Sequence, residues 1–325
     1  MARLTLSLLG PLQVRLDDQP VTGLAYAKVR ALLAYLAVEA RPHGRDALAE
    51  FLWPGQSTAA ARRSLRVALT TLRQALGDPT APIPFLIGTR ESVQINPASA
   101  IALDVTTFTD LLCACQPHFH PMSALCPECA ARLTQAVTLY CGDFLQQLVV
   151  RASVAFDEWV TLTRERLHRS ALEALAALAA YHEGCGADDL ARQYAWRQLA
   201  LEGWDEAAHR CVMRVLARRG QRSAALAQYE RCRRVLADEL GVEPSAETTA
   251  LYEQLRTRTL ARMVAGAAVR TPSGGPHEHQ TSGSSNGYDT IRRDDEPRRF
   301  VAGQSRAPGT ARGDRAAEAA QAAGA

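Results

Sequence analysis

Leucines recur at helical spacing between Thr58 and Leu76, a regular amphipathic stretch in the first third of the chain. On a helical wheel they fall within one narrow arc, which is the stripe that a helix buries against its own domain. The leucines of this stripe are Leu65, Leu69, Leu72 and Leu76. The same stretch holds four arginines and no acidic residue. The pattern predicts a helix with one buried side and one basic side, and Ser57 or Thr58 is suited to cap its N-terminus.

Short strand and helix patterns surround this basic helix in a definite order. Alternating apolar runs predict a small antiparallel sheet, two helical runs follow it, and a hairpin comes after the basic helix. These segments are Leu4–Gly10 and Leu12–Leu16 in the sheet, the helices Tyr26–Ala40 and Asp46–Leu52, and Pro84–Ile87 with Ser92–Ile95 in the hairpin. A sheet, three helices and a terminal hairpin predict a winged helix-turn-helix domain at residues 1–98. In this arrangement the third helix enters the major groove of DNA.

The basic side of the third helix divides into an outer face opposite the leucines and two flanks. Side chains of the outer face suit base edges, because Arg can donate to guanine, Gln to adenine, and Val or Thr can contact a thymine methyl group. Arginines on the flanks suit phosphates. The predicted DNA-binding residues are Arg63, Val67, Thr70 and Gln74 on the outer face, Arg62, Arg66 and Arg73 on the flanks, and Arg90 at the hairpin tip. Two plainer interpretations stay open: the helix can be a solvated surface helix, and Arg90 can be a turn residue paired with Glu91.

After the hairpin the sequence contains helices joined by short connections, with no strand signal. The predicted helices are Val105–Cys113, Cys129–Tyr140, Asp157–Tyr181, Leu190–Leu201, Asp205–Arg218, Ser223–Leu240 and Ala246–Val264. Gly186 and Gly220 are 34 residues apart, and an alanine follows each of them five residues later. This period is typical of tetratricopeptide repeats, which stack helices and leave a concave surface for a partner.

A cysteine- and histidine-containing segment separates the first two of these helices. Two pairs of residues, each with two residues between its members, can supply the four ligands of a tetrahedral zinc ion. The ligands of this candidate site are Cys115, His118, Cys126 and Cys129, with Cys113 and His120 as alternates. The other interpretation is a set of buried or surface thiols. We predict no required cofactor beyond this candidate structural zinc.

Composition narrows the class of protein. The chain has 325 residues, of which 47% are apolar and 22% charged, with a net charge of +3. These values predict a mainly α protein in which the winged domain precedes an all-α, tetratricopeptide-like domain at residues 104–264 and a disordered tail at 265–325. There is no apolar run of 18 residues, so we expect no membrane partner and a cytoplasmic, nucleoid-associated location. Motifs of serine hydrolases, zinc proteases and phosphate loops are absent, so we expect no catalytic residues and no enzyme.

Several of these segments resemble one bacterial family. LGPLQV, KVRALLAYLA, FLWPG and RRSLRVALTTLRQALG are similar to the DNA-binding domain of SARP-type transcriptional activators. YCGDFL, FDEWVTLTRERL and AALAQYERCRRVLADELGVEPSAET resemble the bacterial transcriptional activator domain that follows it. The resemblance covers about residues 3–97 and 104–260. It implies that five side chains face DNA, namely Arg63, Arg66, Val67, Thr70 and Gln74.

The resemblance also implies partners. SARP-type proteins bind adjacent direct repeats in double-stranded promoter DNA, form dimers and help RNA polymerase, and the loop with Trp53 and Gln56 corresponds to one that touches the polymerase in some response-regulator effector domains. We therefore expect a sequence-specific transcriptional activator that binds DNA through its winged domain, with a homodimer or RNA polymerase contact through its helical domain. The alternative is a helical-repeat scaffold whose winged domain binds protein rather than DNA.

Overall fold

Two small sheets form the β structure of the protein, whose computed structural model describes residues 2–116 and 125–268. The strands are β1 (Arg3–Ser7), β2 (Gln13–Leu16), β3 (Gln19–Pro20), β4 (His43–Gly44), β5 (Leu86–Gly88), β6 (Ser92–Ile95) and β7 (Ala100–Leu103). The first sheet has the order β3-β2-β1-β7, with β1 antiparallel to β2 and parallel to β7. The second has the order β4-β6-β5, and its β5–β6 pair is the predicted hairpin.

Ten helices complete the described part of the fold and confirm its mainly helical class. They are α1 (Ala27–Glu39), α2 (Arg45–Leu52), α3 (Thr58–Ala75), α4 (Asp104–Cys113), α5 (Pro127–Leu139), α6 (Val154–Gly184), α7 (Asp188–Leu201), α8 (Glu206–Arg218), α9 (Arg222–Leu240) and α10 (Ala246–Ala268). Each lies where the apolar periodicity predicts a helix, with ends that differ by a few residues. Among these helices, none combines the length and the apolar character needed to cross a membrane.

The basic helix α3 begins and ends where its sequence predicts. Ser57 is the N-cap residue, and its hydroxyl oxygen accepts a hydrogen bond from the backbone N–H of Ala60 at 3.4 Å. Gly77 follows the helix with a φ of 72°, a left-handed conformation that favours glycine. The predicted leucine stripe is buried, with exposed fractions of 1% at Leu65 and 0% at Leu72. Helix α3 packs through this side against α1 and α2.

Strand β7 lies in the interval between the two predicted domains, where the sequence analysis places no element. Residues Arg3 to Leu6 of β1 pair with β7 in parallel register, so this short strand completes the first sheet. The carboxylate of Asp104, directly after β7, accepts hydrogen bonds from the backbone N–H groups of Leu8 and Leu9 at 2.7 and 2.8 Å. Burial raises the pKa of Asp104, and these backbone hydrogen bonds act in the opposite direction. The first residues of the helical region are thus part of the N-terminal sheet.

One cluster of aromatic rings joins the winged region to the helical region. The ring of Tyr35 in α1 lies 4.5 Å from Phe51 and 5.0 Å from Trp159, measured between centroids. Trp159, in α6, also lies 5.5 Å from Phe156 and 5.4 Å from Phe144. All five rings belong to a single hydrophobic core that extends from β1 to the middle of α6. The predicted boundary between the two domains therefore crosses a shared core.

A hydrogen bond at the same interface fixes the orientation of α6. The indole N–H of Trp159 donates to Oε1 of Glu39 at 2.9 Å. The hydroxyl of Ser153 donates to the backbone carbonyl of Phe51 at 2.5 Å, close to the end of α2. The winged region is thus held against the helical region by polar as well as apolar contacts.

The helices from α6 onwards pack against their neighbours in sequence around a second core. Gly186 and Gly220, the pair that indicates a 34-residue repeat, have nearly equal φ values of 73° and 74°. The alanines five residues later, Ala191 and Ala225, are both fully buried. Both glycines thus end a helix in the same conformation, and both alanines provide a close helix contact. Helix α10 continues four residues into the predicted tail, and the rest of that tail lies outside the described residues.

Candidate nucleic-acid interface

Helix α3 exposes the side that the sequence predicts to face DNA. All four residues of the outer face are exposed, and Val67 keeps 61% of its surface accessible although it is apolar. Arg62, Arg66 and the hairpin residue Arg90 are exposed as well, whereas Arg73 is half-buried. Folding therefore leaves the predicted base-reading side chains on the protein surface, because the leucine stripe occupies the opposite side of the helix.

The hydroxyl proton of Thr70 is already used in a hydrogen bond within α3. Its hydroxyl donates to the backbone carbonyl of Arg66 at 3.0 Å, one turn earlier in α3. This hydrogen bond is common for threonine within helices. The oxygen can still accept a hydrogen bond, and the methyl group suits the methyl group of thymine.

Arg62 differs from the other arginines of α3 because it already has an acidic partner. Two nitrogens of its guanidinium, Nε and Nη2, donate to the two carboxylate oxygens of Asp46 in α2. This hydrogen-bonded pairing lowers the pKa of Asp46 and raises the pKa of Arg62. The position of Arg62 on the flank of α3 predicts a phosphate contact. Asp46 competes with a phosphate for the guanidinium of Arg62. A phosphate therefore has to displace the Asp46 carboxylate or share the guanidinium with it.

Arg45 is an additional basic residue that the sequence analysis does not select. It begins α2, and its Nε donates to the carbonyl oxygen of Thr89 in the hairpin turn at 3.0 Å. Its backbone N–H donates to the carbonyl of Glu91 at 2.8 Å. A positive charge in the first turn of a helix interacts unfavourably with the helix dipole. This unusual position at the start of α2 is the feature of the sequence that could have pointed to Arg45. Arg45 thus positions the hairpin beside α3.

The hairpin turn itself is tightly bonded. Oγ1 of Thr89 accepts hydrogen bonds from the backbone N–H groups of Glu91 and Ser92, both at 3.1 Å. A Cβ atom on Gly88 would lie only 2.6 Å from the carbonyl oxygen of Ser92, so the turn requires glycine there. Arg90 projects from a turn of defined shape.

Positive charge accumulates where α2, α3 and the hairpin meet. Burial lowers the pKa of Arg45, and the nearby charges of Arg73 and Arg66 lower it further. Such mutual repulsion costs free energy unless a negative group binds close by. A cleft of about 760 Å³ lies between α3 and the hairpin, and Arg45, Arg66 and Arg90 are among its lining residues. Its lining has four arginines against two acidic residues, Asp46 and Glu91, and this excess of positive charge suits a phosphate backbone.

Arg62 is the one arginine of α3 and the hairpin that forms an ion pair within the described part of the chain. Within the described residues, Arg63, Arg66, Arg73 and Arg90 form no ion pair, and Arg90 is not paired with Glu91. The arginines of the helical region that do form ion pairs are Arg132, Arg192, Arg210, Arg214, Arg218, Arg219, Arg233 and Arg256. Among the residues described, four guanidinium groups without an ion pair therefore lie on α3 and the hairpin.

An apolar groove borders the other flank of α3. Tyr26 and Val149 are 73% and 72% exposed, and both line the groove together with Val67. Trp53, in the turn before α3, is half-buried against the core, and the ammonium of Lys28 lies 5.4 Å from its ring centroid. Through these contacts Trp53 anchors the turn before α3 against the core. The groove has a volume of about 620 Å³ and adjoins the predicted DNA face.

The candidate zinc ligands are only partly within the described residues. Cys126 is the N-cap of α5, and its sulfur accepts a hydrogen bond from the backbone N–H of Cys129 at 3.4 Å. The thiol of Cys115 lies 3.9 Å from the carbonyl oxygen of Cys129, which is fully buried. Burial raises the pKa of Cys129 to about 12, with contributions from the two other thiols. His118 and the alternate His120 lie outside the described residues.

In the part of the chain that the structure describes, no three His, Cys, Asp or Glu side chains are arranged to hold a metal ion. The proximity of Cys115, Cys126 and Cys129 agrees with either interpretation of this segment. The zinc site therefore stays a prediction.

Comparison with known proteins supports the family resemblance. Residues 118–256 match the bacterial transcriptional activator domain. The transcriptional regulatory protein EmbR of Mycobacterium tuberculosis is 26% identical over 266 residues, which are 78% of this chain and 63% of EmbR. MoaR1 of the same species is 27% identical over 263 residues, covering 77% of this chain and 78% of MoaR1. The regulatory protein AfsR of Streptomyces griseus is 25% identical over 267 residues, covering 78% of this chain and 24% of AfsR.

A solved structure shares the fold. The structure of Mycobacterium tuberculosis EmbR in complex with a low affinity phosphopeptide matches 83% of this chain and 70% of its own, with a TM-score of 0.56 and 25% identity. These matches confirm the predicted resemblance to SARP-type regulators. The chain spans 63% of the length of the EmbR proteins that it matches.

Proposed function

We propose that the protein is a sequence-specific DNA-binding transcriptional regulator that activates transcription from promoter DNA. The observation that carries this proposal is the exposed group of arginines without ion pairs on α3 and the hairpin. Arginines at this density repel one another, and a DNA backbone would supply the missing counter-charges. The names of the related proteins, all regulatory, support the same conclusion.

Side chains of α3 divide between positioning and base recognition in this proposal. Arg66 and Arg90 line the cleft beside the hairpin, and the charge of Arg73 acts on Arg45 nearby. These three arginines bind phosphates, which set the register of the helix. Arg63 and Gln74 lie on the outer face and donate to base edges in the major groove. Val67 and Thr70 offer methyl groups to thymine.

In this proposal the helical region holds its protein partners in a defined orientation relative to the bound DNA. Because Trp159 and the aromatic cluster hold α6 against α1 and α2, the helical region has one defined position relative to α3. A homodimer or a contact with RNA polymerase through this region is part of the proposal and follows from the family resemblance. The apolar groove bordered by Tyr26, Val67 and Val149 lies beside the DNA face, where a polymerase subunit at an adjacent promoter element could reach it.

Selection of bound sequences from a random pool of duplex DNA tests the proposal directly. The protein should enrich one sequence, and Arg63→Ala and Gln74→Ala should weaken binding to that sequence more than binding to random DNA. Each good base contact discriminates by about 1–3 kcal/mol, so each of these variants should lose specificity by a factor of about 5 to 150. Arg169→Ala, which removes one exposed arginine from α6, is the matched control and should change neither value.

Two results would contradict the proposal in different ways. Equal losses for preferred and random DNA would reject the assignment of the outer face to base recognition. An absence of DNA binding even at low salt would favour the alternative function, a scaffold whose winged domain binds protein.

A further inference from the structure

A second basic pocket lies in the helical region, among α8, α9 and α10. Its volume is about 620 Å³, within the range of small-molecule sites. The residues that line it are Arg214, Ala217, Arg218, Gly220, Arg222, Leu251, Gln254 and Leu255. It contains three arginines and no acidic residue, and it is formed by elements other than those of the predicted DNA face.

Two of the three arginines are neutralised by acids outside the lining. Arg214 donates from Nε and Nη2 to the two carboxylate oxygens of Glu183, each at 2.7 Å. Arg218 donates to Glu183 at 3.0 Å and to Asp188 at 2.7 Å. Burial alone would raise the pKa of Glu183, but these arginines hold it below its ordinary value. The charges of Arg214 and Arg218 are therefore already neutralised by Glu183 and Asp188.

Arg222 is different, because two of its guanidinium nitrogens have no acceptor in the part of the chain that the structure describes. Its Nε and Nη2 atoms are both buried and have no hydrogen-bond partner among the described residues. A buried donor without an acceptor costs free energy, and the cost is larger for a charged group. Proteins rarely keep such a group unless something else depends on it. The missing acceptor is the main evidence that this pocket receives a ligand.

The position of Arg222 also favours an anion. It is the first residue of α9, a helix whose N-cap, Gln221, makes no side-chain hydrogen bond and whose first turn contains no acid. The N-terminal N–H groups of a helix attract negative charge, so they act in the same direction as the guanidinium. Arg222 lines the pocket, and rotation about its flexible side-chain torsions can turn the Nε–Nη2 edge towards a ligand.

We propose that this pocket binds a small organic carboxylate with an apolar body. The Nε–H and Nη2–H groups of Arg222 are parallel and match the two oxygens of a carboxylate. One unneutralised guanidinium balances one negative charge, which favours a carboxylate over a dianionic phosphate. Ala217, Leu251 and Leu255 provide the apolar wall that the body of the ligand contacts. The proposal is independent of DNA binding, because the pocket shares no residue with the predicted DNA face.

Binding of 4-phenylbutyrate, measured on the full chain by ligand-observed NMR and titration calorimetry, tests the proposal. The neutral amide 4-phenylbutyramide has the same shape without the charge, and inorganic phosphate has the charge without the apolar body. We expect saturable binding of the carboxylate and affinities at least about tenfold weaker for the amide and for phosphate. This comparison uses the unaltered protein, so it does not depend on the folding of any variant.

Arg222→Gln provides the second arm of the test. It should weaken carboxylate binding at least about tenfold, whereas Arg233→Gln, an exposed and ion-paired arginine of the same helix, should leave it within about twofold. The melting temperature of Arg222→Gln should not fall, because the lost guanidinium has no partner to leave unsatisfied. The proposal is overturned if 4-phenylbutyrate does not bind at millimolar concentration, or if 4-phenylbutyramide binds equally well. It is also overturned if inorganic phosphate binds more tightly than 4-phenylbutyrate, or if Arg222→Gln binds 4-phenylbutyrate as well as the unaltered protein does.

Discussion

The ion pair between Arg62 and Asp46 leads to a prediction about how salt weakens DNA binding. Both Arg62 and Arg66 lie on flanks of α3 where phosphates are expected, but Arg62 alone is bound to a carboxylate. A phosphate contact made by Arg66 releases a counterion from DNA, whereas Arg62 must first leave Asp46. Arg66→Ala should therefore reduce the salt dependence of binding more than Arg62→Ala does.

The expected size follows from counterion release. Each phosphate contact contributes about 0.9 to the slope of log K against log salt concentration, so Arg66→Ala should flatten that slope by about 0.9. Between 50 and 200 mM salt, one lost contact changes the relative affinity by roughly threefold. Arg62→Ala should flatten the slope by less than half as much as Arg66→Ala. Asp46→Asn should steepen it, because it releases the guanidinium of Arg62 for DNA.

A double-mutant cycle on the preferred DNA site separates this effect from general charge repulsion. Fluorescence anisotropy at four or more salt concentrations gives the slope for each variant. In the Asp46→Asn background, Arg62→Ala should flatten the salt slope by as much as Arg66→Ala does in the unaltered protein. Equal slopes for the two arginine variants in the unaltered background, together with no effect of Asp46→Asn, would refute the reasoning.

Three other predictions concern stability and metal content. Trp159→Ala should destabilise the protein by about 3 kcal/mol, and the winged and helical regions should still unfold in one calorimetric transition because they share a core; two separate transitions would contradict this. Glu183→Gln should cost about 2 kcal/mol at pH 7 through lost hydrogen bonds to arginine. Since the folded-state pKa of Glu183 is lowered, this contribution is fully present above the ordinary pKa of 4.5 and is lost as the pH falls from there through the lowered folded-state pKa. Denaturant titrations should therefore show a difference between the two proteins that shrinks steadily as the pH is lowered below 4.5. Purified protein should contain one zinc ion per chain, and serine at both Cys126 and Cys129 should remove it; metal-free protein with unchanged stability in that variant would reject the site.

Hydrophobic periodicity was sufficient to predict the order and type of most elements. Helical spacing of apolar residues depends on the chain's own geometry of 3.6 residues per turn, so it can be read locally. This is why all ten described helices and the hairpin lie where the pattern predicts them. Strand β7 was missed because its four residues carry too short a pattern, and its partner β1 lies almost a hundred residues earlier. The shared aromatic core was missed for the same reason, since its rings come from four separate segments.

The sequence by itself determined that α3 has a buried leucine side and an exposed basic side, because both follow from the spacing of residues within one helix. Only the tertiary structure decided which basic groups remain without an acidic partner. Asp46 neutralises Arg62 because α2 packs across α3, and Arg45 joins the basic surface because the hairpin turn folds back onto α2. In the helical region, Glu183 similarly satisfies Arg214, whereas Nε and Nη2 of Arg222 have no acceptor among the described residues. Ion pairs of this kind depend on contacts between distant segments, and no local periodicity encodes them.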